Sequence, residues 1–449
     1  MGITPSWARR AVIEPVWSAV TGASLLAHWR ELERTQYLPP DVLRDRQEQR
    51  LRRVTAAAAR VSPFYARRLA DAGFPEGLRT IDDLRALPVL TKSEIRLAGD
   101  SLLSRDVERA SLLEFRTGGS TGVPLRLLIS EEISHTRNAA ARRSDLWTGW
   151  KVGEGIGAVW GNPKLPETVK DRLRAELLNP VIYLDTMSLS PESVKGFARA
   201  WRRERPTMLF GHAHSIYLLA CTAEELGIDD IRPNAILSTS MMLLPHERRT
   251  IERIFDVPVF DRYGCEEVGL IGCECERHDG LHMNVDHVLV EFLRADGTPA
   301  APGERAYIVV TDLINDVMPL IRYRIEDLSA ALDRACACGR GLPLMTRVAG
   351  RIADFLVRAD GSRVAGISLI ENTVTHIPGI EQMQIVQESL DRIVVNLVPT
   401  PDETAAAAPM LVRYFEQTFP GATVAVQRMV RIPQEANGKY RFAICKVAR

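Results

Sequence analysis

Residues 112–129 read LLEFRTGGSTGVPLRLLI, two apolar runs held apart by a segment crowded with glycine, hydroxyl residues and proline. The apolar runs at 112–115 and 125–129 predict strands, which makes Arg116 to Pro124 a tight loop joining neighbouring elements. Glycines let backbone amides converge into a concave nest, and Thr117, Ser120 and Thr121 add hydroxyl donors, a surface suited to phosphate oxygens. The loop is not a Walker A motif, because no Gly-Lys-Ser/Thr follows at the required spacing. On these residues alone, a glycine-rich hairpin turn is an equal reading.

Downstream of the loop, the apolar segments GIGAVWG, VIYLD, TMLFG, NAILSTS and PVFDRYG alternate with helix candidates up to about residue 265, which predicts a layered α/β architecture. One of those helices is SPESVKGFARAWRRER, with Ser190 as N-cap and Pro191 at the first helical position. Its acid, Glu192, comes one place too early and Ser193 stands third, so no full capping box is expected. Upstream, about Glu31 to Ala72 reads as helical, ending at Gly73, and Thr91 caps a further element. After Gly280 the pattern turns strand-rich, with Asp296-Gly297 as a turn between strands. The tail reads as a compact α+β unit with a helix from about Glu403 to Phe419.

The 449 residues exceed what one ordinary domain requires. Lys plus Arg and Asp plus Glu number 57 each, which gives no support to a general nucleic-acid or membrane surface. No stretch approaches the roughly 18 uninterrupted apolar residues of a membrane span, and the N-terminal segment lacks a clean processing site. A cytoplasmic protein is expected. The seven cysteines cluster unevenly, and a disulfide framework is not expected in so large a cytoplasmic chain.

Three further segments carry candidate chemistry. In FDRYGCEEVGLIG, Tyr263 can stack on a base, Gly264 permits close approach, and Glu267 can assist a divalent cation beside phosphates; a strand boundary with a packed tyrosine and solvated acids is the alternative. In PLIRYRIEDLS, Asp327 can accept two ribose hydroxyls, and Arg322 or Arg324 can meet phosphate or carboxylate, although charged strand ends are also ordinary surface. Near the end, RIPQEANGKYRFAICK offers Lys439, which in a dry site would stabilise charge developing at an α-phosphate and otherwise would simply be solvated.

Taken in order, SPFYARRLADAG, LRALPVLTKSEI, RTGGSTGVP, DRYGCEEVG, LIRYRIEDL, GRIADFLV and NGKYR resemble the motifs of adenylate-forming ligases, especially the phenylacetate-coenzyme A ligase and CapK-like branch. The resemblance spans nearly the whole chain. It implies an α/β fold with a large multi-subdomain N-terminal adenylation region and a small mobile α+β C-terminal domain. The expected divisions are a helical portion at 1–95, the adenylate-forming core at 96–353 and the small domain at 354–449.

By the same resemblance Thr117, Gly118, Gly119, Ser120, Thr121 and Gly122 form the phosphate loop, Tyr263 faces adenine, and Glu267 is the Mg2+-associated acid. Asp327 would hold ribose, Arg351 would support the nucleotide, Lys439 would be the adenylation lysine and Asp354 the hinge. The chain departs from the family pattern at Gly118, where serine is usual, at Met242 near a usual acid, at Glu266 in place of serine or threonine, and in RIED for Arg-Thr-Gly-Asp.

ECERHDGLH and CACGR resemble a metal-bearing insertion in part of this branch. Cys275, His282, Cys336 and Cys338 would give three thiolates and one imidazole to a structural tetrahedral Zn2+, with Cys273 and His278 as nearby competitors and reduced structural cysteines as the alternative. The implied activity is ATP-dependent conversion of a carboxylic acid to an acyl-adenylate and transfer to coenzyme A. A separate carrier-protein thiol or an amine is the alternative acceptor, and a noncatalytic nucleotide-binding role is the alternative class. An aromatic acid is favoured modestly over a fatty acid, with Trp147, Trp150, Trp160, His212 and His214 available as pocket or core residues. A homodimer is left open.

Overall fold

Ile236, Leu237 and Ser238 are wholly buried within the run Ala235–Thr239, and burial on both faces of so short an apolar run is the pattern of a strand inside a parallel sheet. The computed structural model describes residues 5–116, 125–161, 168–169, 177, 180–348, 352–353, 355–400, 406–430, 432 and 441–447. Within them, Ala235–Thr239 is β6 of a nine-stranded sheet. Its partners are β3 (Ile156–Trp160), β4 (Val181–Asp185), β5 (Met208–His212), β7 (Val259–Cys265), β8 (Gly269–Glu274), β9 (Leu281–Met283), β13 (Ala331–Leu332) and β14 (Leu344–Met345).

The strand order is β13-β14-β9-β8-β7-β6-β5-β3-β4. From β4 to β7 every pairing is parallel, and from β7 to β13 every pairing is antiparallel. The register sets His212 beside Thr239, and Thr239 beside Arg262, at the carboxyl ends of the parallel strands. Open α/β sheets bind ligands outside that edge.

Among the helices that precede the sheet are α1 (Leu25–Thr35), α2 (Pro40–Val61) and α3 (Pro63–Asp71). The chain breaks at Ser62, whose hydroxyl accepts the Tyr65 N–H at 3.4 Å and caps α3. Next comes α4 (Lys92–Ala98), opened by a capping box in which Thr91 and Glu94 satisfy each other's backbone N–H. The segments on either side of residues 117–124 pair as an antiparallel hairpin, β1 (Leu113–Arg116) and β2 (Arg126–Ile129), and α5 (Glu131–Trp147) follows.

Helix α6 (Pro191–Glu204) corrects one expectation. It carries a full capping box, because the Ser193 hydroxyl, shorter than the usual glutamate, still accepts the Ser190 N–H at 2.9 Å while Ser190 accepts from Ser193. Helices α7 (Ala213–Glu225) and α8 (Pro245–Phe255) complete the alternating half. A three-stranded antiparallel sheet, β10 (Val288–Leu293), β11 (Ala306–Asp312) and β12 (Tyr323–Ser329), follows, and Gly297 turns the chain after β10 at φ +83°.

The C-terminal part has its own five-stranded sheet in the order β15-β21-β18-β19-β20, from β15 (Ile352–Ala353), β18 (Ile380–Ser389), β19 (Arg392–Pro399), β20 (Thr423–Arg428) and β21 (Arg441–Cys445). A hairpin of β16 (Phe355–Val357) and β17 (Arg363–Ala365) and two helices, α9 (Gly366–His376) and α10 (Ala407–Thr418), accompany it. Of the helix expected from Glu403, residues 403–405 lie outside the described residues. Ser368 of α9 meets Thr186, after β4, through hydroxyls 3.2 Å apart. No helix among the described residues is long and apolar enough to cross a membrane.

A buried ion pair ties the helical portion to the sheets. Arg143 of α5 donates to Asp286 at 2.8 Å and to the Asn284 side chain at 2.8 Å, and both charged side chains are 1% exposed. Thr35 of α1 and Arg50 of α2 converge on the same aspartate. Burial opposes its charge, but Arg143 and its neighbours outweigh that cost and hold the carboxyl below the usual range. Asp286→Ala should therefore cost about 3–5 kcal/mol by leaving Arg143 buried and uncompensated. Urea unfolding checks this, and a loss under about 1 kcal/mol would contradict it.

Candidate functional site

Strand β7 ends in Tyr263-Gly264-Cys265, turns through Glu266 and Glu267, and returns as β8. A register shift at Tyr263/Gly264 marks a bulge. A Cβ on Gly264 would stand 2.6 Å from the Gly269 carbonyl oxygen, so the close approach it permits is between the two strands. Beyond the bulge, the Tyr263 hydroxyl donates to Asp327 Oδ2 at 2.9 Å, joining residues 64 apart in sequence.

Glu267 is 5% exposed. Its Oε1 accepts the hydroxyl of the fully buried Tyr323 at 3.0 Å and lies 3.5 Å from Lys92 Nζ, itself 8% exposed. The turn is held from a third side: Arg137 of α5 donates to the carbonyls of Glu266 and Glu267 at 3.1 and 2.8 Å and to Asp312 at 2.9 Å. Lys92 reaches the site because its segment is sewn to β12, with Leu90 N–H bonded to Arg322 O at 2.8 Å and Arg324 N–H to Leu90 O at 3.0 Å. Lys92, Tyr323, Arg137 and Asp312 were not expected from sequence. The one usable signal is LTKSE, a capping box that places a lysine in the first turn of a helix.

The arginines considered for phosphate have structural partners. Arg322, at φ +60°, is buried; its guanidinium bonds Glu291 at 3.2 Å and the Leu87 carbonyl. The Arg324 guanidinium lies 5.1 Å from the Tyr307 ring centroid. Thr117 to Gly122, Arg351, Asp354 and Lys439 lie outside the described residues. Their chain neighbours are informative: Arg116 pairs with Arg126 at the mouth of the loop hairpin, and Ile352 is the register partner of Arg441.

Cys275, His282, Cys336 and Cys338 come together, with their donor atoms all within 4.8 Å of one another. Cys275 Sγ is 3.7 Å from Cys336 Sγ, and Cys338 Sγ is 3.2 Å from His282 Nε2. The sulfur separation matches ligands about 2.3 Å from a tetrahedral centre. The Arg277 and Arg340 N–H groups each point at a sulfur at 3.5 Å, and His282 Nδ1 lies 3.0 Å from the Leu342 carbonyl, which leaves Nε2 for a metal. Burial pushes the Cys275 and Cys336 thiols up, a bias that a cation among them would reverse. The donor set fits Zn2+. Cys273 and His278 are not among the four, and His278 instead lies 3.1 Å from Glu274.

Of the aromatic candidates, Trp147 packs edge-on against His282, 5.6 Å away, on the cysteine side of the molecule. Trp150 is buried and donates to the Glu154 carbonyl at 3.3 Å. His214 pairs with Glu247. Trp160 and His212 instead meet at the carboxyl ends of β3 and β5, ring centroids 4.0 Å apart, and Trp160 stacks on Phe210 at 5.6 Å. Burial pushes the His212 imidazole down to about 4, so it is neutral at pH 7.

A family model described as the CapK C-terminal domain matches residues 356–446. The chain is similar to a phenylacetate-coenzyme A ligase of Thermus thermophilus, 26% identical over 343 residues, covering 71% of this chain and 73% of that one. It is similar to Protein CapK of Staphylococcus aureus, 25% identical over 401 residues, covering 85% of each. Among solved structures, a 2-hydroxyisobutyryl-CoA ligase in complex with 2-HIB-AMP and CoA shares the fold, with TM-score 0.63, 19% identity, and coverage of 92% of both chains.

The Glu267 arrangement yields a stability test. Tyr323→Phe removes a buried donor to a carboxylate and should cost about 2 kcal/mol in chemical denaturation. A change within about 0.5 kcal/mol of zero would mean that the hydroxyl does not support Glu267.

Proposed function

We propose that this chain, which belongs to the adenylate-forming ligase superfamily close to its phenylacetate-coenzyme A ligase and CapK branch, activates a carboxylic acid with ATP and transfers the acyl group to coenzyme A. The observation that carries the reading is the Tyr263–Asp327 hydrogen bond. It joins an aromatic ring fit to face adenine to a carboxylate fit to accept ribose hydroxyls, beside a Glu267 already paired with Lys92.

In the first half-reaction the acid's carboxylate oxygen bonds to the α-phosphorus as the bond to the departing pyrophosphate breaks. No base is needed, because the carboxylate is already ionised. Thr117 to Gly122 hold the phosphates, Arg351 supports the nucleotide, and Lys439 is the preorganised positive charge at the α-phosphate. Glu267, whose Oε1 already meets Lys92 and Tyr323, would be the acid that holds a magnesium ion, which would supply neutralisation of phosphate charge. In the second half-reaction the thiol sulfur bonds to the acyl carbon, AMP leaves with the bonding pair, and the thiol proton goes to solvent. The small domain, taken from Asp354 onward, turns between the two steps. The stacked Trp160 and Phe210 support an aromatic acid.

Zinc held by Cys275, His282, Cys336 and Cys338 would have all four positions filled by protein and so serve the fold.

Acid-dependent exchange of labelled pyrophosphate into ATP tests the activity; no exchange across aromatic, aliphatic and amino acids by folded, ATP-binding protein would overturn it. Lys439→Ala should lower that exchange about a hundredfold or more while ATP affinity changes far less. Equal exchange would remove Lys439 from its role. For the metal, purified untagged protein should carry one zinc per chain, lost in Cys336→Ser. An ion present at a thousand times its Kd adds about 4 kcal/mol, so chelation should lower the melting temperature. Metal-free wild type with unchanged melting would reject the site.

A further inference from the structure

Two histidines lie close together in GHAHS, and they differ in one respect. His214 is paired with Glu247 and stacks on Tyr217 at 5.6 Å. His212 is wholly buried, and neither ring nitrogen has a hydrogen-bond partner among the described residues. The Ser215 hydroxyl, one helical turn on, is likewise wholly buried and unpartnered among those residues. Buried polar atoms in native proteins are nearly always paired, so two orphans three residues apart call for a missing partner.

Their position says what kind. His212 closes β5 and stands at the N-cap of the thirteen-residue α7, where its side chain makes no capping bond. It lies at the carboxyl edge of the parallel strands, where such sheets bind ligands. The Trp160 ring is 4.0 Å away and tilted by 36°, and it continues into Phe210, stacked within 6° of parallel. The flat apolar wall therefore ends at the unpartnered imidazole of His212, with the unpartnered Ser215 three residues further along the chain. A neutral imidazole offers one donor and one acceptor, and serine offers both. So dry a corner penalises a charged substituent and favours a neutral hydroxyl, which can donate to one group and accept from another.

We propose that His212 and Ser215 determine substrate specificity by hydrogen-bonding a hydroxyl on the ring of an aromatic acid packed along Trp160. This rests on the acid-activating reading and names its substrate class.

The test compares pyrophosphate exchange for phenylacetate and benzoate with that for their meta- and para-hydroxy derivatives, in wild type, His212→Leu and Ser215→Ala. Wild type should favour a hydroxylated acid by more than about tenfold in kcat/KM, since a site built to bond a hydroxyl rejects the analogue lacking it. His212→Leu should abolish or invert that preference while the melting temperature holds or rises, because an apolar side chain of similar size replaces an unpaired buried group. Equal use of both acid types by wild type, or an unchanged ratio in His212→Leu, would overturn the assignment. Should wild type exchange with no acid, the activity reading fails on its own. Calorimetric binding of the hydroxylated acids then tests the corner directly: binding lost in His212→Leu upholds it, and absent or unaltered binding refutes it.

Discussion

A carboxylate cannot be buried without partners, and Glu267 is buried. Its requirement draws three remote segments to one turn: Lys92 from the start of α4, Tyr323 from β12, and Arg137 from α5, which grips the turn's backbone. The hydrogen bonds of Leu90 to β12 are the geometric cost of bringing the lysine there. The helical portion before residue 95 is thus part of the site's framework. Tyr263 and Asp327 meet beside this turn, and their pairing depends on β7 and β12 being held in place by the same contacts.

Two further polar junctions fix the frame around it. Asp286 gathers Arg143, Arg50 and Thr35 from three helices onto the segment between β9 and β10. The three cysteines and His282 join β8 and β9 to the segment after β13, and Arg340 beside them reaches Gln36 and stacks near Trp147. Both junctions link the antiparallel half of the large sheet to the N-terminal helices. At the carboxyl edge of the parallel half, Arg262 of β7 bonds Asp145 of α5 at 2.6 Å, and His212, Trp160 and the contact of Ser368 of the small domain lie at the same edge.

The fold was legible where burial is written into runs of residues. Segments such as AILST and MLFGH are apolar on both faces, and a strand between helices is the layered arrangement that buries them. The hairpin flanking the glycine loop and the turn at Gly297 were legible from local turn chemistry. The Ser190 capping box was missed because a serine at the third position is a poorer sequence signal than glutamate, although its hydroxyl reaches. The cysteine and histidine cluster was legible from its residue types, whose donor atoms have few other uses in such spacing.

Pairings across long sequence separation were legible only through motif order. Nothing local tells that Tyr263 meets Asp327, that Lys92 is buried, or that Arg322 in its left-handed conformation is bonded to Glu291 rather than turned to a ligand. In the proposed reaction a carboxylate oxygen attacks the α-phosphorus. The most direct measurement uses an acid whose carboxylate carries heavy oxygen, with mass analysis of the AMP formed in the presence of ATP and coenzyme A. Acyl-adenylate chemistry places one labelled oxygen in AMP. Thioester formation with unlabelled AMP, or label found in phosphate instead, would exclude that attack.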